Sequence, residues 1–249
     1  MSPSLPPAES LPPLLILDDE LQPCPYLPER EARMPLGWAL EPVAPAMIDH
    51  LLEQGYRRSG PFLYRTACPA CQACEPTRLD VTQFQPRGSL RRVEKRGDGV
   101  LRIEEGPPSV DPLRLELFNR HRQERGLDHD GRPLDAAAYR QFLVETCCQT
   151  RELSFWCDDQ LAAVAVLDLG RTSFSAVYTF FRPDWRRLSL GTYAILKSIA
   201  WGRAQGYQWY YLGFYVAENR HLNYKRRFLP QQRKRQGRWE VETVLSPIA

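Results

Sequence analysis

The chain has no apolar run approaching the roughly 18 residues that a membrane-spanning helix needs, and its N-terminus has neither the basic region nor the cleavage pattern of a signal peptide. A cytoplasmic protein with no membrane partner is the expectation. Histidine is scarce, at four in 249 residues, and no Ser-His-Asp arrangement can be picked out, so covalent hydrolase chemistry has no candidates. No internal repeat is present, which excludes a solenoid. Seven cysteines without a secretion signal argue against a disulfide scaffold and for free thiols, a metal or redox chemistry. The C-x-x-C-x-x-C run at Cys68, Cys71 and Cys74 is not followed by a second matched pair at zinc-ribbon spacing. Cys24 is the nearest further thiol, so a structural metal on Cys24, Cys68, Cys71 and Cys74 stands beside the alternative of small buried or redox-active cysteines.

With 43% hydrophobic and 25% charged residues, the chain can bury the core of one large or two modest domains. The net charge of +3 hides two local surpluses. Between Trp201 and Glu240 stand nine cations and two acids, among them Arg226, Arg227, Arg233, Lys234 and Arg235, and a smaller basic run covers Arg87 to Arg102. Such patches attract polyanions with an affinity that salt weakens.

Residues 1–13 are rich in proline and serine and read as a flexible arm. Pro45 to Gly55 predicts a helix, with proline in its first turn and glycine at its end. Phe62–Tyr64 is a short strand, and Arg78 to Thr82 alternates like a half-exposed one. Ser89 to Arg96 reads as a capped basic helix and Gly99 to Glu104 as a strand. Asp111 and Asp135 cap two further helices, Pro112 to Arg125 and one running to Cys148. Leu153–Cys157, Leu161–Leu169 and Ser173–Phe181, separated by turn residues, predict an antiparallel meander. A loop over Asp184–Gly191, a helix over Thr192–Ala204 and an aromatic strand from Gln208 follow, and a basic tail closes the chain.

A helix pair, a meander, a loop, a helix and a strand is the order of the acyl-transferring N-acetyltransferase (GNAT) fold. Arg186-Arg187-Leu188-Ser189-Leu190-Gly191 approximates its R-x-x-G-x-G turn, with serine for the first glycine, where the free amides of a helix start can hold a pyrophosphate. Further residues carry a closer likeness. Cys24-Pro25-Tyr26-Leu27-Pro28, Gly55-Tyr56-Arg57-Arg58-Ser59-Gly60, the run from Tyr64 through Cys74 to Arg78, Ser189-Leu190-Gly191-Thr192-Tyr193, and Tyr211-Leu212-Gly213-Phe214-Tyr215 with Asn223-Tyr224-Lys225 resemble, in this order, the aminoacyl-tRNA–protein transferases. The bacterial leucyltransferases acting on N-terminal Asp and Glu are nearer than the eukaryotic arginyltransferases.

The resemblance implies an α/β (α+β) protein: a Cys-containing N-terminal half over 14–105 and a GNAT-like catalytic half over 106–249. It implies transfer of leucine, or arginine, from charged tRNA to the α-amine of proteins beginning with Asp or Glu, marking them for degradation. Family members carry a glycine and a cysteine in the loop before the Tyr-Lys pair, where this chain has Val216 to Leu222. Eukaryotic members carry two more cysteines where Leu27 and Ala67 stand here, so the likeness brings no metal centre across, and no cofactor is expected.

The chemistry agrees independently. An aminoacyl ester is already activated, so a placed, neutral amine attacks it without an enzyme nucleophile. Tyr211, Tyr215 and Tyr224 can hydrogen-bond the ester or its oxyanion, and Lys225 or Arg226 can offset negative charge. An acidic acceptor needs a fixed cation, for which Arg78 is the first candidate and Arg227 the second. Ser189, Gly191 and Thr192 are candidate substrate contacts at the helix start, and Arg233, Lys234 and Arg235 candidate tRNA contacts. An acetyl-CoA-dependent N-acetyltransferase and a non-catalytic RNA-binding protein are the competing readings.

Overall fold

A computed structural model of the chain describes residues 14–128 and 131–245, so the expected N-terminal arm over 1–13 lies outside the described residues. The first part of the chain builds strands β1 (Leu14–Asp18), β2 (Leu21–Pro23), β3 (Glu31–Arg33) and β4 (Leu36–Ala39), helix α1 (Pro45–Gln54), and strands β5 (Arg57–Ser59) and β6 (Phe62–Tyr64). β1, β4, β6 and β5 form a small sheet in that order, and β2 pairs with β3 alone. Gly55 ends α1 in the left-handed conformation, its amide returning to the Leu51 and Leu52 carbonyls, as the sequence anticipates.

Next come β7 (Glu75–Asp80), α2 (Ser89–Asp98), β8 (Arg102–Gly106), α3 (Pro112–Arg125) and α4 (Ala136–Tyr139), the last running into a π turn over Arg140–Val144. The chain then forms β9 (Thr150–Cys157), β10 (Gln160–Leu169), β11 (Ser173–Phe181), α5 (Leu190–Ala204), β12 (Trp209–Tyr215), β13 (Gln231–Arg235) and β14 (Arg238–Glu242). Asp111 and Asp135 cap α3 and α4 by accepting from the Arg114 and Ala138 amides. Ser89 caps nothing: α2 starts from Gly88, with no side-chain cap.

Eight strands make one sheet in the order β14-β13-β7-β12-β11-β10-β9-β8, antiparallel except where β11 meets β12. The period-two alternation of β10 sorts the core: Ala163, Ala165 and Leu167 face α2 and α5, while Val164 and Val166 face Leu117 and Phe118 of α3 and Leu143. The small sheet and α1 cover the same side as α3, further along, through Leu51, Leu63 and Tyr211. The run β8-α3-α4-β9-β10-β11-α5-β12, closing on a parallel pair, is the expected GNAT-like order.

Three expectations change. β7 is not half-exposed but central, hydrogen-bonded to both β12 and β13, with Thr77, Arg78 and Leu79 buried. β7 and β8 are both strands of the large sheet and α2 packs on α5, so elements from both sides of the division expected at 105/106 share one sheet. The closing basic segment is no tail: it is the β13–β14 hairpin, stitched to β7 at Thr77 and Arg78.

Candidate active site

β11 and β12 bond only at Ser173–Trp209, Phe174–Tyr210 and Ser175–Tyr211, and then part. Into this fork reaches Arg57, brought there by β5, whose pairing with β6 sets it opposite Tyr64. Its Nη1 donates to Ser175 Oγ at 2.6 Å and its Nη2 to the Ala176 carbonyl of β11. On the other prong, Gly213 has φ of +92°, and a Cβ there would stand 3.3 Å from Arg57 Nη2. Glycine thus serves both the turn of the chain and the approach of the guanidinium. The neighbouring Arg58 anchors the wedge. It donates from Nε to Asp168 Oδ2 at 2.7 Å, and Thr150 Oγ1 donates to Asp168 Oδ1 at 2.8 Å, all buried.

Beyond the end of β12, a 3-10 turn over Asn223–Arg227 carries Tyr224 and Lys225. Lys225 is 3% exposed. Among the described residues its Nζ has no hydrogen-bond or ion-pair partner, and its neighbour is the Tyr224 ring, 4.8 Å away. Burial, and then the charge of Arg57, pull its pKa down to about 7. Burial pushes the Tyr224 phenol up to about 12 and raises that of Tyr210, which stacks on Phe174 at 4.4 Å. Arg57 keeps part of its surface accessible, yet protein atoms enclose it closely enough to hold its pKa below the guanidinium range. No carboxylate among the described residues ion-pairs with Arg57 or Lys225. Tyr26 and Tyr64 close the region by packing edge-on against Phe214 at 6.3 and 6.4 Å.

Other sequence candidates lie on the far flank of β12. Arg78 is held between the indoles of Trp209 and Trp239, 4.0 and 4.1 Å from their centroids, and donates to Gln232 Oε1 at 2.8 Å and Tyr211 Oη at 3.0 Å. It is a fastener of the β12–β7–β13 seam and takes Tyr211 with it. Arg233 lies 3.6 Å over the Tyr215 ring, 2% exposed and 3.5 Å from Glu75. Arg235 pairs with Glu75, Glu240 and Glu242, and Lys234 donates to the Glu53 carbonyl at 2.5 Å. Arg233, Lys234 and Arg235, expected to meet phosphates, are thus held by carboxylates, an aromatic ring and a backbone carbonyl. Arg227 is exposed and Arg226 half-buried.

At the start of α5, Ser189 has φ of +51° and its side chain makes no capping hydrogen bond. A Cβ on Gly191 would come within 2.7 Å of Phe181, so glycine is needed there for helix–strand packing. Thr192 is half-buried.

The four cysteines of interest do gather. Cys24 Sγ accepts from the Leu27 amide, Cys68 Sγ from the Arg33 amide and Cys71 Sγ from Arg30 Nη1, each at 3.4 Å. Burial and the other three thiols push Cys74 up to about 12. Still, among the described residues no group of three or more His, Cys, Asp or Glu is arranged to hold a metal ion.

Arg57 and Ser175 had no assigned role in the sequence reading. The signal was the Arg57-Arg58 pair in a three-residue strand close to Gly55 and Gly60, too many charges for a strand that only fills a sheet. No helix among the described residues is long and apolar enough to cross a membrane.

Two family models match the chain: the N terminus of arginine-tRNA-protein transferase over residues 22–92 and its C terminus over 114–235. Aspartate/glutamate leucyltransferase of Pseudomonas fluorescens is 36% identical over 218 residues, covering 88% of this chain and 92% of that protein. The proteins of the same name from Chromobacterium violaceum and Acinetobacter baumannii are 34% and 32% identical, covering 88% and 90% of this chain and 90% and 83% of their own. Among solved structures, FemX overlaps 67% of this chain and 59% of its own at TM-score 0.44 and 8% identity, too loose a likeness to bear on the reading.

Proposed function

Because this chain belongs to the arginine-tRNA-protein transferase family, enzymes that join an aminoacyl group from tRNA to a protein, we propose that it transfers leucine to the α-amine of proteins beginning with Asp or Glu. The leucine so added would mark the acceptor for degradation. The observation that carries the reading is the β11–β12 fork: a guanidinium and a lysine with no internal carboxylate, beside phenols, in a crowded opening between two strands. Such a place suits an ester whose carbonyl oxygen gains negative charge, because fixed donors in a poorly solvated site stabilise an oxyanion far better than water does.

In this reading the aminoacyl ester enters the fork, with Tyr224 and Arg57 toward its carbonyl. Ser189, Gly191 and Thr192 at the start of α5 take the terminal phosphate of the tRNA. Exposed Arg91, Arg92 and Lys95 of α2, which packs on α5, take further phosphates in place of the paired cations of β13. With Arg78 committed to its tryptophans, Arg227 is the cation for the acceptor carboxylate, whose desolvation costs several kcal/mol unless paired.

Labelled leucyl-tRNA and arginyl-tRNA, each offered with peptides starting in Asp, Glu or Ala, test the reading. Leucine on the Asp and Glu peptides only is the expected result. Arginine transfer would reassign the donor, label taken from acetyl-CoA would favour an N-acetyltransferase, and tRNA binding without transfer would leave an RNA-binding protein.

A further inference from the structure

Buried lysines in folded proteins usually end on a carboxylate, since an uncompensated ammonium in a poorly solvated interior is costly. Lys225 does not. It is 3% exposed, has no hydrogen-bond or ion-pair partner among the described residues, and lies within electrostatic reach of another cation, Arg57. Arg57 cannot swing away, because Ser175 Oγ and the Ala176 carbonyl hold its two terminal nitrogens. Arg57 of β5 acts on the amine electrostatically, the Tyr224 ring lies 4.8 Å from it on the same turn, and Gln231 of β13 donates to the Lys225 backbone carbonyl. Tyr224 is itself influenced by Arg125 of α3 and is near Tyr210 of β12, while Arg57 feels Asp168, Tyr26, Tyr64 and Tyr210. None of these offers Lys225 a negative charge at neutral pH, since the phenols are raised and Asp168 is engaged by Arg58.

A lysine desolvated beside a fixed cation is an amine held ready to accept a proton. The proposed reaction has one step that needs such a group. A protein's α-amine, with an ordinary pKa near 7.7–8, arrives largely as ammonium and cannot attack until it loses a proton. We propose, resting on the transferase reading above, that Lys225 is the proton acceptor for the attacking α-amine and that Arg57, fixed on Ser175 and the Ala176 carbonyl, is its positioning residue. Lys225 takes one proton from the acceptor ammonium. The freed lone pair attacks the ester carbonyl carbon, a C–N bond forms, and the bond to the ribose oxygen breaks. A second proton of the amine ends on the ribose hydroxyl, and Lys225 returns its own proton to solvent.

Two measurements test this. In the free enzyme, the 13Cε resonance of Lys225, assigned by its loss in Lys225→Met, should titrate near the depressed value of about 7 and move upward in Arg57→Gln. A midpoint near that of a surface lysine overturns the proposal. In single-turnover transfer from leucyl-tRNA to an Asp-starting peptide, Lys225→Arg should lose about 10²–10⁴-fold, the usual contribution of a positioned proton acceptor. Its affinity for leucyl-tRNA should hold, and its residual rate should climb with pH without the wild-type plateau. A loss under tenfold in an active, folded enzyme overturns the role of Lys225 alone. A wild type inert with both charged tRNAs overturns the function, and the role with it.

Discussion

Along the edge of β12 that pairs with β7, Arg78 lies between two indoles and Arg233 over Tyr215, whereas toward β11 neither Arg57 nor Lys225 ion-pairs with a carboxylate among the described residues. The two flanks of one strand thus hold similar cations in opposite conditions. On the sealed flank, aromatic faces and acids consume the charge, and the arginines act as fasteners. On the open flank the charge is left uncompensated, which an interior tolerates only where a ligand or a reaction uses it. Local surplus of Lys and Arg in the sequence therefore says little about where a polyanion binds, because partners from distant segments decide which cations remain available. The Arg57-Arg58 pair makes the point within two residues: Arg58 ends on buried Asp168, while Arg57 ends on a hydroxyl and a carbonyl.

The contrast can be broken first at its strongest bond. Asp168→Ala leaves Arg58 buried without its counter-ion and should destabilise the fold by about 3–5 kcal/mol, read from the urea midpoint. If the midpoint stays put, the small sheet does not depend on that pair. Next, Arg78→Ala on the sealed flank removes three cation–π contacts, two hydrogen bonds and an ion pair with Glu53, and should cost about 2–3 kcal/mol of stability, with KM for an Asp-starting peptide little changed. A raised KM at unaltered stability would instead return Arg78 to the acceptor site.

The open flank responds with the reverse sign and to pH. Lys225 has its pKa lowered on folding, from the ordinary lysine range to about 7, so the unfolded chain binds more protons between those values and stability rises with pH there. The penalty of burying the ammonium is fully present at and below pH 7. Lys225→Met should accordingly stabilise the protein, by on the order of 2 kcal/mol at pH 6, and the gain should fade as pH climbs toward 10. Denaturation midpoints of both proteins across pH 6–10 measure it. A destabilised Lys225→Met at pH 6 would mean that the ammonium has a partner in the fold.

Much was readable from single segments. Pro45, Gly55, Asp111, Gly126 and Asp135 mark helix ends because a cap or a left-handed turn is decided by the residue and its near neighbours. The meander was legible in the same way, its turn residues standing between runs of strand formers. Motif order carried the family, since many weak local likenesses in register amount to a strong one. What the chain could not disclose by itself was pairing across long separations. β7 looked half-exposed because alternation reports one face, and only its insertion between β12 and β13 buried the other. The basic end of the chain looked like a tail because Glu75, which meets Arg233 and Arg235, stands about 160 residues earlier.

The sequence by itself determined the caps, the turn chemistry, the β-rich runs and the presence of Arg57, Gly213, Tyr224 and Lys225, all matters of local sterics and residue chemistry. The tertiary structure alone decided that β11 and β12 part after Ser175, that Arg57 crosses from another sheet into the gap, and that Lys225 is enclosed without an acid while Arg78 is stacked between tryptophans. The physical reason is that the charge state and availability of a side chain depend on desolvation and on the sum of neighbouring charges, and both are set by which distant segments the fold brings together.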